Sequence, residues 1–322
     1  MNANDIDITI DKSLIQTEEE LLAHWGEFDN PLVSIHCMTY NHEKFIRDTL
    51  DGFLIQKTDF PFEILVHDDA STDGTADIIR EYEKRYPNII KPIYQTLNQY
   101  SQGKKCGVFN RERARGEYIA MCEGDDHWLD KNKLQIQIDF LRNHQDYVMS
   151  GHDAVVVNEK GEVISESKLP NVFKKDLSGE DLIRGQALIL TLSMVFRNIF
   201  IKEKMPIEHN NVRNGDTFLT SMLGRYGKSK YHADISPAAY RAHAGGVWSL
   251  VSREEQAWHS SNTNFWLQKY YERLGEKEHA KYYLHAHKRS VARQVGIIDV
   301  LNANFLKARR KLSAEFKRVT KK

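Results

Sequence analysis

Phe62-Glu63-Ile64-Leu65-Val66-His67-Asp68-Asp69-Ala70-Ser71-Thr72-Asp73-Gly74-Thr75 is a short apolar run that ends in a polar, carboxylate-rich turn. Behind it, Ile78, Ile79 and Tyr82 recur at helical spacing, which predicts a helix over 76–86. Strand, polar turn and helix in that order are half of a βαβ unit. In open parallel sheets, ligands bind beyond the carboxyl ends of the strands, where such turns sit. Ser71, Thr72 or Asp73 can cap the following helix. Capping does not account for Asp68 and Asp69, which stand at the strand end itself.

The pattern repeats on both sides. Residues 31–38 read as a strand, Thr39-Tyr40-Asn41-His42 as a polar turn, and 43–56 as a helix whose apolar stripe is Phe45, Ile46, Leu50, Phe53 and Leu54. Residues 89–94 read as a further strand. Downstream, Gly116-Glu117-Tyr118-Ile119-Ala120-Met121-Cys122 predicts a turn and a short strand, followed by Glu123-Gly124-Asp125-Asp126-His127-Trp128. Carboxylates packed so closely repel one another unless a positive charge lies between them. Mg²⁺ and Mn²⁺ take oxygen ligands and are commonly held by one or two carboxylates plus substrate phosphates. The competing explanation is an acidic turn capping a helix that starts near Leu129. Strands alternating with helices imply an α/β fold with a mostly parallel central sheet and flanking helices. Right-handed crossovers place the turns after Met38, His67 and Met121 along one edge of it.

Three segments together resemble the family 2 glycosyltransferases, which have the GT-A nucleotide-diphospho-sugar transferase fold: 33–42, 64–75 and 115–126. The resemblance is strong over 31–150 and readable to about 250. It implies an inverting sugar transfer from a nucleotide-diphospho-sugar, commonly a UDP-sugar, assisted by Mn²⁺ or Mg²⁺. Bacterial members of this kind build surface polysaccharides such as capsule or O-antigen on glycan or lipid-linked acceptors. By resemblance, Thr39, Tyr40 and Asn41 flank the nucleotide base, and Asp69, with Asp68 beside it, recognises it. The family's Asp-x-Asp motif carries Glu123 at its first position here, a departure that leaves open how the carboxylates share the metal. Asp125 and Asp126 are the metal and ribose-diphosphate candidates. Arg113 and Arg115 can reach the phosphates or form a solvated face.

Asp216, in Asn211-Val212-Arg213-Asn214-Gly215-Asp216-Thr217-Phe218-Leu219, falls where the family places its catalytic base. An inverting displacement needs one carboxylate to take the acceptor's proton, and a metal to neutralise the departing diphosphate. The alternative for Asp216 is a helix N-cap. Tyr240-Arg241-Ala242-His243-Ala244-Gly245-Gly246-Val247-Trp248-Ser249 resembles the family's arginine-histidine segment near the diphosphate. There His243 is a candidate metal or phosphate ligand, and Arg241 a phosphate partner. Trp128 and Trp248 can stack on a sugar or be packing.

The chain has 322 residues, 41% of them hydrophobic, with 45 basic and 45 acidic side chains, so no net field favours nucleic acid. Its 3 Cys fit neither a disulfide framework nor a zinc spacing, which suits a reducing cytoplasm; Cys37 and Cys122 fall in apolar strands. No signal peptide is visible, and no apolar run approaches the roughly 18 residues of a membrane span. The expected organisation is an N-terminal extension over 1–30, a GT-A domain over 31–250 with donor and acceptor halves, and a C-terminal helical region over 251–322. The tail holds Lys307, Arg309, Arg310, Lys311, Lys317, Arg318, Lys321 and Lys322 against Glu315, interleaved with Phe305, Leu306, Leu312 and Phe316. Such a helix fits peripheral contact with an anionic membrane, or a solvated basic face. A nucleotidyltransferase and a non-catalytic nucleotide-sugar-binding module are the rival readings. The first would carry a glycine-rich loop after its first strand, and the Thr39-Tyr40-Asn41-His42 turn has no Gly.

Overall fold

A computed structural model describes residues 7–246 and 251–293. Four parallel strands form one side of its main sheet: β1 (Val33–Thr39), β2 (Phe62–Asp68), β3 (Ile90–Tyr94) and β4 (Tyr118–Met121). The order is β3-β2-β1-β4-β8-β5-β9, with β5 (Tyr147–Gly151), β8 (Val195–Arg197) and β9 (Lys228–Tyr231). Only β8 runs antiparallel to its neighbours. A smaller sheet, β10-β6-β7, joins β10 (Ala238–Arg241) to the hairpin of β6 (Ala154–Val157) and β7 (Val163–Ser165).

β2 is buried along its whole length, as expected of a strand covered on both faces. Helices α2 (Ile46–Leu54), α3 (Thr75–Arg85) and α5 (Lys133–Asn143) cover one face. Their Ile46, Leu50, Phe53, Ile79, Leu134 and Ile138 share one apolar cluster with Ile35, Cys37, Ile64 and Val66 of the strands. Burial of each such side chain contributes about 1.5–3 kcal/mol. The register pairs Thr39 with Asp68 and His36 with Met121, so the polar turns after β1, β2 and β4 leave the sheet at one edge.

The described residues divide into two compact units. Residues 7–205 with 219–246 form the first, and 206–218 with 251–293 the second. The second unit contains α8 (Arg253–Arg273), opened by a capping box of Ser252 and Glu255. There Arg273 donates to both oxygens of Glu208. The start of α7 (Gly215–Leu223) also lies in this unit.

One expectation is corrected by the helix boundaries. The helix predicted from near Leu129 begins at Lys133, and its Asn132 cap makes no side-chain bond. Asp125 and Asp126 are therefore not explained as its caps.

Candidate active site

The turns after β1 and β2 are bonded to each other. Asn41 N donates to Ser71 Oγ at 2.9 Å, Thr72 N donates to Asn41 Oδ1 at 2.8 Å, and Asp69 N donates to Thr39 O at 3.0 Å. Two non-glycine residues here have positive φ, Asn41 at 55° and Ala70 at 62°. This is left-handed backbone that side chains other than Gly rarely adopt, and such strain concentrates at functional sites. Asp73, not Ser71 or Thr72, supports the start of α3, accepting from Thr75 N at 3.0 Å. Asp68 accepts from the Ser71 hydroxyl and amide. Burial nevertheless raises its pKa. Asp69 takes Gln99 N at 2.7 Å on one oxygen and Tyr100 N at 2.9 Å on the other. Tyr40 is 43% exposed beside them.

The turn after β4 comes up against the turn after β1. Gly124 N donates to Met38 O at 2.9 Å. A Cβ on Gly124 would lie 2.7 Å from Thr39 Cβ, so this approach requires glycine. Helix α2 holds the segment that follows. Thr49 Oγ1 donates to Asp126 O at 2.7 Å, the backbone of Trp128 lies 2.8 Å from where a Gly52 Cβ would sit, and Gln56 Nε2 donates to Asp130 O at 2.8 Å. Thr49 and Gly52 lie a turn apart on α2, and Gln56 follows just beyond its end.

Clamped in this way, the two aspartates separate. Asp125 faces two imidazoles, with His243 Nε2 2.9 Å and His42 Nε2 3.8 Å from its Oδ2. The side chains of His42, Asp125 and His243 are 14%, 17% and 6% exposed. Burial raises the Asp125 pKa, but the His243 hydrogen bond and the fields of both imidazoles outweigh it and leave the carboxyl below its ordinary value. Burial also lowers the His42 pKa. Gly245 N donates to His243 Nδ1. With Nδ1 accepting there, Nε2 is the nitrogen left to donate to Asp125.

Asp126 is turned the other way, 4% exposed, and its Oδ1 accepts from Arg241 N at 2.8 Å. Burial, then Asp125 and Glu123, push its pKa well up. Asp126 therefore points into the protein, whereas Asp125 presents an oxygen to the two imidazoles. Arg241 is also turned inward. Its guanidinium bonds Asp125 O and Asp48 Oδ2 and lies 4.7 Å from the Phe45 ring centre, at 5% exposure, so it braces the motif from inside. Trp128 is wholly buried, with Nε1 donating to Leu192 O and its ring against Phe53; of its two readings, packing is the one the structure bears out. Arg113 donates to Val66 O and Asn110 Oδ1, and Arg115 forks onto Glu63, so both guanidinia are engaged with the protein. Glu123 is partly buried at the start of the motif.

Asp216 is in the second unit, exposed on the first turn of α7, with Oδ1 accepting from Thr217 N at 2.7 Å. It stands inside the helix, so it is not the N-cap. Trp248 and the basic tail lie outside the described residues.

The sequence shows His42 only as the end of a polar turn, and the structure adds it to this site. Its signal was positional, since it ends the turn that the register sets beside Asp125. The ring atoms of His42 and His243 and an oxygen of Asp125 lie within 4.8 Å of one another. His42 Nδ1 is buried without a partner. Two imidazoles and one carboxylate form a donor set that fits a divalent ion such as Mn²⁺, which would take the place of the His243 proton. Mg²⁺ prefers an all-oxygen shell and fits less well.

The profile of glycosyl transferase family 2 matches residues 34–203, more than half of the chain. The chain belongs to that family. An uncharacterized protein of Mycobacterium tuberculosis is 38% identical over 67% of this chain, and the matched stretch spans 60% of that relative's length. The poly(ribitol-phosphate) beta-N-acetylglucosaminyltransferase TarS of Staphylococcus aureus is 28% identical over 53% of this chain and 28% of its own. Its residues 1–349, solved with UDP-GlcNAc, superpose with TM-score 0.53 at 19% identity over 82% of each chain. The mannosyltransferase PcManGT of Pyrobaculum calidifontis, solved with GDP-Man and Mn²⁺, superposes with TM-score 0.53 at 17% identity, over 91% of this chain and 88% of that one. The fold of this family 2 chain is therefore GT-A.

Proposed function

We propose that this family 2 chain transfers a sugar, with inversion, from a nucleotide-diphospho-sugar to a glycan or lipid-linked glycan acceptor in surface-polysaccharide synthesis, such as that of capsule or O-antigen. The observation that carries the reading is Asp125 set between His42 and His243 at the carboxyl edge of a GT-A sheet, beside the Asp69 turn. UDP is the proposed nucleotide, supported by the TarS structure with UDP-GlcNAc. PcManGT, bound to GDP-Man and Mn²⁺, supports a divalent metal and makes GDP the competing nucleotide.

In this mechanism Thr39, Tyr40 and Asn41 flank the base and Asp69 reads it. Asp125, His243 and His42 would hold the metal. When bound, that ion supplies positive charge against the departing diphosphate. Asp216 takes the proton from the acceptor hydroxyl as its oxygen attacks the anomeric carbon. One C–O bond forms, the bond to the diphosphate breaks, and the sugar is inverted. Residues 31–250 form the transferase domain in this reading, with Trp248 in the closing segment. Among the described residues no helix is long and apolar enough to cross a membrane. The basic tail would bring the enzyme to a lipid-linked acceptor. Equal liposome binding with and without residues 301–322 would remove that part.

The test is thermal shift with UDP, GDP and dTDP, each with and without Mn²⁺. A ligand that binds the native state raises Tm by mass action. A Mn²⁺-dependent shift with UDP alone is expected. No shift with any nucleotide would overturn the donor reading in favour of a module that has kept only the fold. Asp216→Asn should retain the UDP shift and lose transfer, and full turnover in that variant would exclude Asp216 as the base.

A further inference from the structure

A second cluster of metal-ligating atoms lies at the same sheet edge. One ring nitrogen of His67, a carboxylate oxygen of Asp69 and Cys106 Sγ all lie within 4.8 Å of one another. His67 is the penultimate residue of the buried strand β2, and Cys106 precedes α4 (Gly107–Arg111). The donors therefore come from a strand, the turn after it, and the segment leading into a helix.

Each side chain is held in a way that suits a ligand. His67 is wholly buried, with its ring stacked on Phe109 at 4.8 Å. Its Nε2 faces Gln95 Nε2 at 3.1 Å, and its Nδ1 has no hydrogen-bond partner. A buried, unsatisfied ring nitrogen is costly and calls for an explanation. The two amide bonds from Gln99 and Tyr100 fix the Asp69 carboxylate, as hydrogen bonds fix carboxylates in metal sites. Cys106 Sγ lies 3.4 Å from Asp69 Oδ2. A tetrahedral zinc ion, with S at about 2.3 Å and O at about 2.0 Å, holds those two atoms about 3.5 Å apart. Arg113, near His67, already donates to Val66 O and Asn110, and the two negative ligands offset its charge.

We propose that His67, Asp69 and Cys106 form a second cation site, specific for a thiophilic divalent ion such as Zn²⁺, and that filling it withdraws Asp69 from the nucleotide. The sulfur separates this site from the His42–Asp125–His243 cluster, whose donors are only nitrogen and oxygen. On binding, the Cys106 thiol releases its proton to solvent and the thiolate becomes a ligand, with no change of oxidation state. The site itself stands on the three donors. Its competition with nucleotide rests on the proposed role of Asp69.

The experiment uses the full chain, freed of metal, titrated with Co²⁺ as a spectroscopic stand-in for Zn²⁺. A thiolate-to-cobalt charge-transfer band saturating near one equivalent and bleached by Zn²⁺ is expected. Cys106→Ser and Cys106→Ala should abolish the band, His67→Ala should weaken Co²⁺ binding at least tenfold, and His243→Ala should leave the band in place. No band, or one that survives both Cys106 variants with their far-UV circular dichroism intact, overturns the site. UDP should raise the apparent Kd for Co²⁺ at least tenfold. If UDP binds the protein without moving that Kd, the competition fails and the site stands. If UDP does not bind at all, the nucleotide reading fails, while the band still decides the site.

Discussion

The ends of β2 and β4 carry the same dipeptide, Asp68-Asp69 and Asp125-Asp126, and the fold uses each pair in a divided way. In both, one aspartate is spent on the scaffold: Asp68 locally on Ser71, and Asp126 on the distant amide of Arg241. The other faces a histidine-containing cluster. Asp125 meets two imidazoles with its carboxylate edge, whereas Asp69 is tied to two backbone amides and approached by a thiol. The comparison shows that a run of carboxylates is not a pooled charge. Which oxygen reaches the ligand depends on what else the turn must satisfy.

The largest expected effect separates the partners of the β4 pair. Asp125→Asn should weaken Mn²⁺-dependent UDP binding by more than about 100-fold, beyond the cost of losing a residue that only orients a ligand. Asp126→Asn should leave Mn²⁺ affinity unchanged by titration calorimetry. Equal losses in the two variants would break the division proposed here.

Next, Asp69→Asn should weaken UDP binding roughly 10- to 100-fold, the value of a hydrogen bond to a charged group. Mn²⁺ affinity measured without nucleotide should not change. A joint loss would mean that the two strand ends form one site rather than two.

A smaller effect tests the contact that brings the β1 and β4 turns together. Gly124→Ala would push a methyl against Thr39 and His42, and should cost about 1–3 kcal/mol in chemical denaturation. No loss would show that the turns can separate without penalty.

The last test is a pH slope set by groups buried in the scaffold. Burial pushes His36 and His152 down to about 3 and Lys133 down to about 7. Unfolded, these groups titrate near 6.5 and 10.4. The unfolded chain therefore binds more protons from about pH 3 to 6.5 through the histidines, and from about 7 to 10 through Lys133. Their contribution to stability falls as pH drops through either window, by about 1.4 kcal/mol per pH unit for each excess proton. A denaturation midpoint that rises on acidification from pH 6.5 to 4 would contradict this.

Much of the architecture was legible in the chain. Short apolar runs and helical spacings placed β1, β2 and β3 with α2 and α3 to within a few residues, because burial on both faces leaves an unbroken apolar run in β2 and a stripe on each helix. The three polar turns were recognisable for the same reason, since carboxylates cannot continue a buried strand. The inward orientation of Arg241, Trp128 and Asp126 was not legible. Their residue types suit phosphates, sugars and metals equally well, and nothing local says which way a side chain points.

What the sequence determined alone was the periodic part: the strand–turn–helix order, the edge on which the turns gather, and the chemical types present there. What only the tertiary structure decided was the pairing of distant groups. His42 and His243 are brought to one oxygen of Asp125 across 83 and 118 residues of chain, and Cys106 to Asp69 across 37. Periodicity reports whether a side chain faces the core or the solvent. Convergence on a shared atom depends on strand order, register and the packing of α2 under the β4 turn, which belong to no single segment.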